Sequence, residues 1–266
     1  MTDATPFFRE AGAGPGVVCL HANASSSSQW RALMELLAPR HHVLAPDSHG
    51  AGKGPPWPQR LDRPLALRDE VALVEPVLAR AGTPLDLVGH SYGAAVALVA
   101  ALQQPARVRR LVLYEPTLFA LVDADSPRPN DADGIRDAVA RAGVALDAGD
   151  GDAAAAHFID YWMGPGAWAA TPEARRPAIV AAVAHVRGWS QALFGEPTPL
   201  AACAALRMPV LLLQGSATTA SARAVVQRLA RTLPQVQLQV LEGLGHMGPV
   251  THPERVNAAI AAFLAA

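Results

Sequence analysis

The stretch LVGHSYGAAV, residues 87–96, places Ser91 between Gly89 and Gly93 and has apolar residues on either side. The pattern G-x-S-x-G between a strand and a helix is typical of a sharp turn that holds the serine in strained backbone geometry and lifts its hydroxyl clear of the sheet. The amide of Tyr92 then lies at a helix N-terminus, which favours developing negative charge. The stretch therefore predicts a nucleophilic serine. Outside a strand–helix context, the same five letters would fit an unreactive turn serine equally well.

The residues around this stretch alternate between short apolar runs and helical patterns. Runs rich in Val and Leu are typical of parallel strands that are covered on both faces. We predict strands at 16–20, 42–46, 85–90, 108–114, 209–214 and 236–241. We predict helices near 28–38, 69–80, 92–104, 220–232 and 253–264, the last opening with Thr251 and Glu254 at capping-box spacing. This alternation predicts an α/β fold with a mostly parallel sheet flanked by helices.

The alternation stops between residues 118 and 206. The stretch DADSPRPNDADG (123–134) predicts a surface loop, and Ala-rich helical patterns follow at about 134–147, 151–163 and 173–194 without a convincing strand. The simplest interpretation is an all-helical cap inserted between two strands of the sheet. We therefore predict a core formed by residues 1–117 and 207–266, with the helical cap at 118–206.

The composition favours a small-molecule ligand. The 266 residues carry a formal net charge of −1, and the scattered Lys and Arg form no basic stripe, which argues against nucleic acid. The start MTDATPFFRE lacks the features of a targeting segment, and the longest apolar run, 94–102, is too short to span a bilayer. We therefore expect a cytoplasmic protein without a membrane partner, and we leave its oligomeric state open. The nine histidines show no metal-ligand spacing, so we expect neither a metal nor another cofactor.

A serine nucleophile needs a base, and one histidine is well placed to supply it. The stretch LEGLGHMGPVTHPE (241–254) puts His246 just past the last predicted strand. Serine first and histidine near the C-terminus is the chain order that this architecture requires. The alternatives are that His246 is a loop histidine bonded only to backbone, or that His252 is the base. His252 fits less well because it is placed to cap the last helix.

Four motifs in this order resemble those of the α/β-hydrolase fold superfamily, in its capped serine-hydrolase form, over nearly the whole chain. Besides GHSYG (89–93), LHANASSSSQW (20–30) resembles the family's His-Gly-x loop, PDSHGAGKG (46–54) its Asp-x-x-Gly-x-Gly loop, and GLGHMGP (243–249) its histidine loop. The resemblance implies that Asn23, two residues after the early histidine, supplies an oxyanion-hole amide beside that of Tyr92. Family members usually have glycine where this chain has Ala22.

The acid that should orient the histidine is absent from the position that the resemblance implies. Most of the family carries it in a Gly-x-x-Asp context after the strand that follows the cap, but GSATTASARAVVQRLARTLPQVQ (215–237) contains no acidic residue. Glu115 ends the strand after the nucleophile's helix, 24 residues after Ser91. Members similar to haloalkane dehalogenases carry their acid at that strand end. We therefore predict Glu115 as the acid, the alternative being a solvated glutamate before a proline turn.

The other carboxylates fit this role less well. Glu242 lies only four residues before His246 and would have to fold back. Asp47 resembles the loop-closing aspartate of its motif, and Asp86 is expected at a strand start. Both are therefore expected to be structural.

The substrate pocket is expected to be apolar and covered by the cap, because the cap contributes aromatic residues with few charges. Most of these aromatic side chains should pack in the core, and one or two should line the pocket. The candidate pocket residues are His21, Ala22, His90, Phe158, Trp162, Trp189 and Met247. No cluster of Lys and Arg suggests a site for phosphate or CoA.

Together these residues favour a carboxylesterase-like serine hydrolase acting on an ester, thioester or lactone with an apolar acyl part. Ser91 would attack with the help of His246, and the same histidine would activate water to cleave the acyl-enzyme. Dehalogenases use an aspartate nucleophile, so the serine points to acyl transfer instead. The alternatives are a carbon–carbon bond hydrolase with the same triad and a non-catalytic ligand-binding member of the fold. A cofactor-free oxygenase or perhydrolase fits less well.

Overall fold

Seven short strands form one sheet in the computed structural model, which describes residues 5–58 and 63–266. The strands are β1 (Phe8–Ala11), β2 (Gly16–Leu20), β3 (His42–Pro46), β4 (Leu85–His90), β5 (Val108–Tyr114), β6 (Val210–Gly215) and β7 (Val236–Leu241). Their order across the sheet is β1-β3-β2-β4-β5-β6-β7, and only the β1–β3 pair is antiparallel. The predicted α/β fold with a mostly parallel sheet is confirmed.

Helices cover both faces of the sheet and also form the segment between β5 and β6. They are α1 (Arg31–Leu37), α2 (Leu67–Ala81), α3 (Tyr92–Gln103), α4 (Ala120–Asp125), α5 (Asp133–Asp147), α6 (Gly151–Met163), α7 (Arg176–Val183), α8 (Val186–Phe194), α9 (Ala220–Thr232), α10 (Gly248–Thr251) and α11 (Pro253–Ala265). Helices α1 and α11 pack on one face, and α2, α3 and α9 pack on the other. Alternate residues of β2 explain this, because Val17 and Cys19 join the first core and Val18 and Leu20 the second.

All the regular secondary structure between β5 and β6 is helical. Helices α4 to α8 lie in this helical insertion (residues 118–206), and no residue of it is in a strand. The predicted helix at 173–194 is broken into a short 3₁₀ turn, Glu173–Arg175, followed by α7 and α8. The insertion packs in the same core as α2, α3 and α9. The insertion therefore packs on the same side of the sheet as α3.

The sheet order reverses direction between β2 and β4. From β2 the chain passes outward to β3, and from β3 it crosses back to β4, which pairs with the other edge of β2. In open parallel sheets, such a reversal leaves a crevice at the carboxyl ends of the two strands, where ligands bind. Residues 21–23 follow β2 and Ser91 follows β4. The topology alone thus brings the early loop and the serine to opposite sides of one crevice.

Two glycines allow the serine turn to pack closely. A Cβ built on Gly89 would lie 2.5 Å from Ala94 Cα, and one on Gly93 would lie 2.4 Å from the Leu20 carbonyl oxygen. Helix α3 is buried along nearly its whole length, so it cannot move outward without losing packing. The glycines flanking Ser91 are therefore required for the close approach of α3 to β2 and β4.

We expect Gly93→Ala to lower the free energy of unfolding by about 3 kcal/mol, the upper end of the usual cost of overpacking, because the added methyl meets rigid backbone. Urea denaturation measures this. Gly143→Ala is the matched control, since Gly143 is also helical and a Cβ there meets only the flexible end of Arg187, 2.7 Å from its Nε. A Gly93 variant as stable as the Gly143 variant would contradict the close approach.

Two local predictions at the helix ends were wrong. The stretch 123–134 is not entirely a loop, because its first residues complete α4. The capping box that begins at Thr251 is absent: Thr251 ends the short helix α10 and donates a hydrogen bond to the Met247 carbonyl. His252 occupies the N-cap position of α11 instead, and its side chain makes no capping hydrogen bond. No helix within residues 5–58 and 63–266 combines the length and apolarity that crossing a bilayer requires.

Candidate active site

Ser91 lies on the turn between β4 and α3 in a conformation that L-residues rarely adopt. Its φ is 55° and its ψ is −116°, and its amide donates a hydrogen bond to the Tyr114 carbonyl at 2.9 Å. Such geometry costs about 1–3 kcal/mol and persists only where the surroundings enforce it. Helix α3 begins at Tyr92, whose amide therefore has no helical carbonyl one turn earlier to bind. The turn presents a hydroxyl and an available amide side by side.

The structure brings three predicted residues into one hydrogen-bonded chain. The Ser91 hydroxyl lies 2.8 Å from Nε2 of His246, and Nδ1 of His246 lies 2.7 Å from Oε2 of Glu115. All three side chains are buried. A carboxylate can only accept, so Nδ1 carries the proton, and Nε2 is then free to accept the proton of the serine. This is the arrangement that a general base requires.

The carboxylate of Glu115 is held by the loop that follows β6. Its Oε1 accepts a hydrogen bond from the Gly215 amide at 2.7 Å, and its Oε2 accepts one from the Thr218 hydroxyl at 2.6 Å. Glu115 is fully buried and has a φ of 43°. The last residue of β6 and the loop after it, which lacks an acid of its own, thus supply two donors that offset the desolvation of the carboxylate that follows β5.

The loop that carries His246 is held by the ends of the two central strands. His90, the last residue of β4, donates from Nε2 to the His246 carbonyl at 2.8 Å, and the Tyr114 hydroxyl, at the end of β5, donates to the Gly245 carbonyl at 2.8 Å. Burial, together with the nearby charge of His246, holds the pKa of His90 well below its usual value, so His90 is neutral at pH 7. His90 therefore holds the loop of His246 through a hydrogen bond and does not itself take up a proton at pH 7.

The early loop is fixed by hydrogen bonds from both sides. Asp47 accepts from the Ser27 amide at 2.6 Å and from the Lys53 amide at 2.8 Å, which closes its loop as its motif predicts. The Ala22 amide donates to the Gln29 side chain at 3.2 Å. Asn23 follows directly and lines the same cavity as Ser91. The loop therefore places Asn23 beside the serine, across the crevice between β2 and β4.

An aromatic ring from the helical insertion covers the base. The ring centroids of Trp162, in α6, and His246 are 3.9 Å apart, with an angle of 24° between the planes. A stacked indole attracts a cation through its negative face, and the attraction grows when water is excluded. Trp162 therefore shields one face of the His246 ring from solvent and places the face of an indole against it.

Ser91 faces two cavities, and Asn23, Phe158 and Trp162 also line both. The larger cavity has a volume of about 500 Å³ and is mainly apolar. The smaller has a volume of about 20 Å³ and lies against helices α5 and α8. The two cavities share four lining residues, so they adjoin beside Ser91.

Apart from Phe158 and Trp162, which line both cavities, the predicted pocket residues divide into three groups. Ala22 and Met247 line the larger cavity, and Trp189 lines the smaller one. The structure places His21 and His90 on neither wall. His21 is buried, donates to the Ala22 carbonyl from Nδ1 at 2.7 Å and accepts from the Ser48 amide at Nε2. Both ring nitrogens of His21 are bonded to backbone, Nδ1 within its own loop and Nε2 to the loop of Ser48, which explains why the ring does not reach the pocket.

The sequence analysis missed several residues of the site. Ile159 and Met163 directly follow Phe158 and Trp162 on α6 and line the larger cavity, and because they are four residues apart, helical spacing could have identified them. Thr218 and Thr117 carried no signal, because each lies in a loop and belongs to no recognised motif. Thr117 lines the smaller cavity and is buried. Within the part of the chain that the structure describes, no group of three or more His, Cys, Asp or Glu side chains could hold a metal ion.

Comparisons with known proteins agree on one family. The family model for the alpha/beta hydrolase fold matches residues 15–253. A protein of Variovorax paradoxus, provisionally named carbamate hydrolase RutD, is 33% identical over 261 residues, covering 95% of this chain and 92% of that protein. The 2-hydroxymuconate semialdehyde hydrolase of a Pseudomonas species is 34% identical over 109 residues, 41% of this chain and 35% of that protein. The crystal structure of an alpha/beta hydrolase from Sphaerobacter thermophilus superposes with a TM-score of 0.75 at 26% identity, covering 97% of this chain and 96% of that one.

Proposed function

Because the chain belongs to the α/β-hydrolase fold family, we propose that it is a carboxylesterase-like serine hydrolase that cleaves an ester, thioester or lactone through an acyl-enzyme on Ser91. The observation that carries the proposal is the unbroken hydrogen-bonded chain from Ser91 through His246 to Glu115. Each atom in that chain has the donor or acceptor role that proton removal from the serine requires.

The first half of the reaction acylates the serine. The Ser91 oxygen attacks the substrate carbonyl while its proton passes to Nε2 of His246. The carbonyl oxygen becomes negative and accepts hydrogen bonds from the amides of Asn23 and Tyr92. The bond to the leaving group then breaks, and the leaving oxygen or sulfur takes the proton from Nε2. The imidazolium that exists between these steps is stabilised by the Glu115 carboxylate.

The second half releases the acyl group. Water enters the space that the leaving group has left and gives a proton to Nε2 of His246 as it attacks the acyl carbonyl. The same two amides stabilise the negative oxygen again. The bond to Ser91 then breaks, and the serine oxygen recovers its proton from the histidine. The products are a carboxylic acid and the free enzyme.

The substrate class follows from the cavities and from one relative. The larger cavity is lined mainly by apolar side chains and carries a single arginine, Arg175, on its wall. This favours an uncharged and largely apolar substrate. The relative from Variovorax paradoxus is named for carbamate hydrolysis, which also begins with attack at a carbonyl carbon. Residues 118–206 would act as a cap that covers the site on a core of residues 1–117 and 207–266.

A fluorophosphonate probe tests the proposal. Such probes phosphonylate an activated serine, so we expect one label per chain, on the peptide that contains Ser91. The heat-denatured protein is the control, because its serines lack the hydrogen bond to a base. A ligand-binding member of the fold that has lost catalysis would remain unlabelled. Absence of label, or label on another serine, would contradict the proposal.

A further inference from the structure

The two cavities at Ser91 differ in their volume and in their contact with the base. The larger one reaches the surface, since exposed residues such as Met163 and Arg175 lie on its wall. The smaller one is lined by side chains that are mostly buried, including Ile135 and Leu193. His246 lines the larger cavity and does not line the smaller one.

The position of His246 determines which part of a substrate occupies each cavity. In the proposed reaction the leaving group takes a proton from Nε2 of His246, and water later approaches the same nitrogen. Both must therefore lie on the side of Ser91 where the histidine is, in the larger cavity. The leaving group must also depart while the acyl group stays attached to the serine. The larger cavity opens to solvent and permits this.

We propose that the smaller cavity is the acyl subsite and that it restricts this protein to esters of short acyl groups, of about acetyl size. The proposal rests on the proposed function and deepens it. A volume of about 20 Å³ is little more than a water-sized group occupies. An acetyl group places one methyl beyond its carbonyl carbon, which such a space accommodates. A longer unbranched chain would have to displace the packed side chains of α5 and α8.

A buried hydroxyl indicates that this space is more than a packing defect. Thr117 lines the smaller cavity and is 1% exposed, and its Oγ1 has no hydrogen-bond partner among the described residues. Empty cavities in protein cores are lined by apolar groups, so a space of this size with an unpaired hydroxyl on its wall differs from a dry packing defect and is able to take up a water-sized group. The combination of Thr117 with the nucleophile on one wall is that of a site for a small substituent on a carbonyl.

The test measures kcat/KM for p-nitrophenyl esters of increasing acyl length, from acetate to octanoate. One methylene that a pocket cannot accept costs about 10- to 200-fold, so we expect the wild-type protein to prefer acetate over hexanoate by at least about 100-fold. Leu193→Ala, which enlarges only the smaller cavity, should reduce that preference by at least about tenfold. Val139→Ala provides a second enlargement at a half-buried position on α5, in case the Leu193 variant does not fold.

Ile179→Ala is the matched control, because it removes a similar volume from the wall of the larger cavity alone. We expect its acetate-to-hexanoate ratio to stay within about threefold of the wild-type ratio, while its preference among acetate esters of different alcohols changes. A wild-type protein that hydrolyses hexanoate as fast as acetate would overturn the inference and leave the proposed function standing. Failure to hydrolyse any ester in the series would overturn both.

Discussion

Ser91→Ala is expected to abolish turnover of short aryl esters and leave the fold intact. Removing the nucleophile from a serine protease lowers kcat by about 10⁶, and we expect a loss of that order here. The hydroxyl makes the hydrogen bond to His246 at 2.8 Å, and no other hydroxyl is hydrogen-bonded to that ring nitrogen among the described residues. Alanine keeps the same Cβ as serine, so the strain at φ 55° does not change. Initial rates with p-nitrophenyl acetate measure the loss.

The control for this prediction separates chemistry from folding. The thermal unfolding midpoint and the circular dichroism spectrum of the Ser91 variant should match those of the wild type. Serines of the early loop offer a comparison: Ser28→Ala changes an exposed hydroxyl that bonds only Ser26 and should retain nearly full activity. Residual activity of the Ser91 variant within tenfold of the wild type would remove Ser91 from its proposed role.

Glu115→Gln is expected to lower kcat by at least about 10²-fold, and a comparable change in a serine protease costs about 10⁴. Glutamine has nearly the same shape as glutamate and lacks the charge that stabilises the imidazolium. The substitution also disturbs the hydrogen bonds that the Glu115 carboxylate accepts, in addition to removing its charge. All three partners, the Gly215 amide, the Thr218 hydroxyl and Nδ1 of His246, donate to the carboxylate.

A glutamine amide has one oxygen and one NH₂ group, so it cannot accept at both ends. If the oxygen faces Gly215, the NH₂ faces His246 and binds Nδ1 only when that nitrogen is unprotonated. The proton then moves to Nε2, where it blocks the acceptance of the serine proton. If the amide turns round, its NH₂ opposes the N–H of Gly215 and leaves a buried donor unpaired. Either orientation gives the wrong tautomer or an unpaired polar group.

Thr218→Val serves as the graded comparison. It removes one donor to Glu115 and preserves the carboxylate, so we expect a loss in kcat of about tenfold, the value of one hydrogen bond to a charged group. Thr218→Ser keeps the hydroxyl and should restore most of the activity. A Glu115→Gln protein with a near-normal rate would contradict the assignment, as would an experimental structure in which the carboxylate lies more than about 6 Å from the histidine and points to solvent.

The central strands could be predicted from sequence because strands buried on both faces consist mainly of apolar residues. Strands β2, β4 and β6 are buried at every position, and their runs of Val and Leu identify them within one residue. Strand β1 was missed because its four residues, FREA, alternate only weakly and lie at the edge of the sheet. Its pairing with β3 depends on tertiary contact and not on local pattern. The capping box predicted from Thr251 is absent because Thr251 is the last residue of α10 and so does not precede α11 as its N-cap.

The identities of the candidate catalytic residues could be proposed from sequence, but the shape of the site could not. Glu115 was selected by exclusion, together with the expectation that its strand lies beside that of Ser91, and the structure places its carboxylate 2.7 Å from His246. The donors that hold Glu115 lie 100 and 103 residues further along the chain, and no local pattern marks them. The direction in which His21 and His90 point depends likewise on distant loops.

The position of Glu115 directly after β5 places the proposed nucleophile and the proposed acid in a single strand–helix–strand unit. Ser91 directly follows β4 and Glu115 directly follows its neighbour β5, so their separation is fixed by the pairing of these two strands. Both residues precede the helical insertion in the chain, and only the histidine follows it. Sequence drift within the insertion can therefore alter which molecules fit without disturbing the distance between these two groups. In evolutionary terms, this protein can diversify its substrates in one segment and inherit its chemistry unchanged in another.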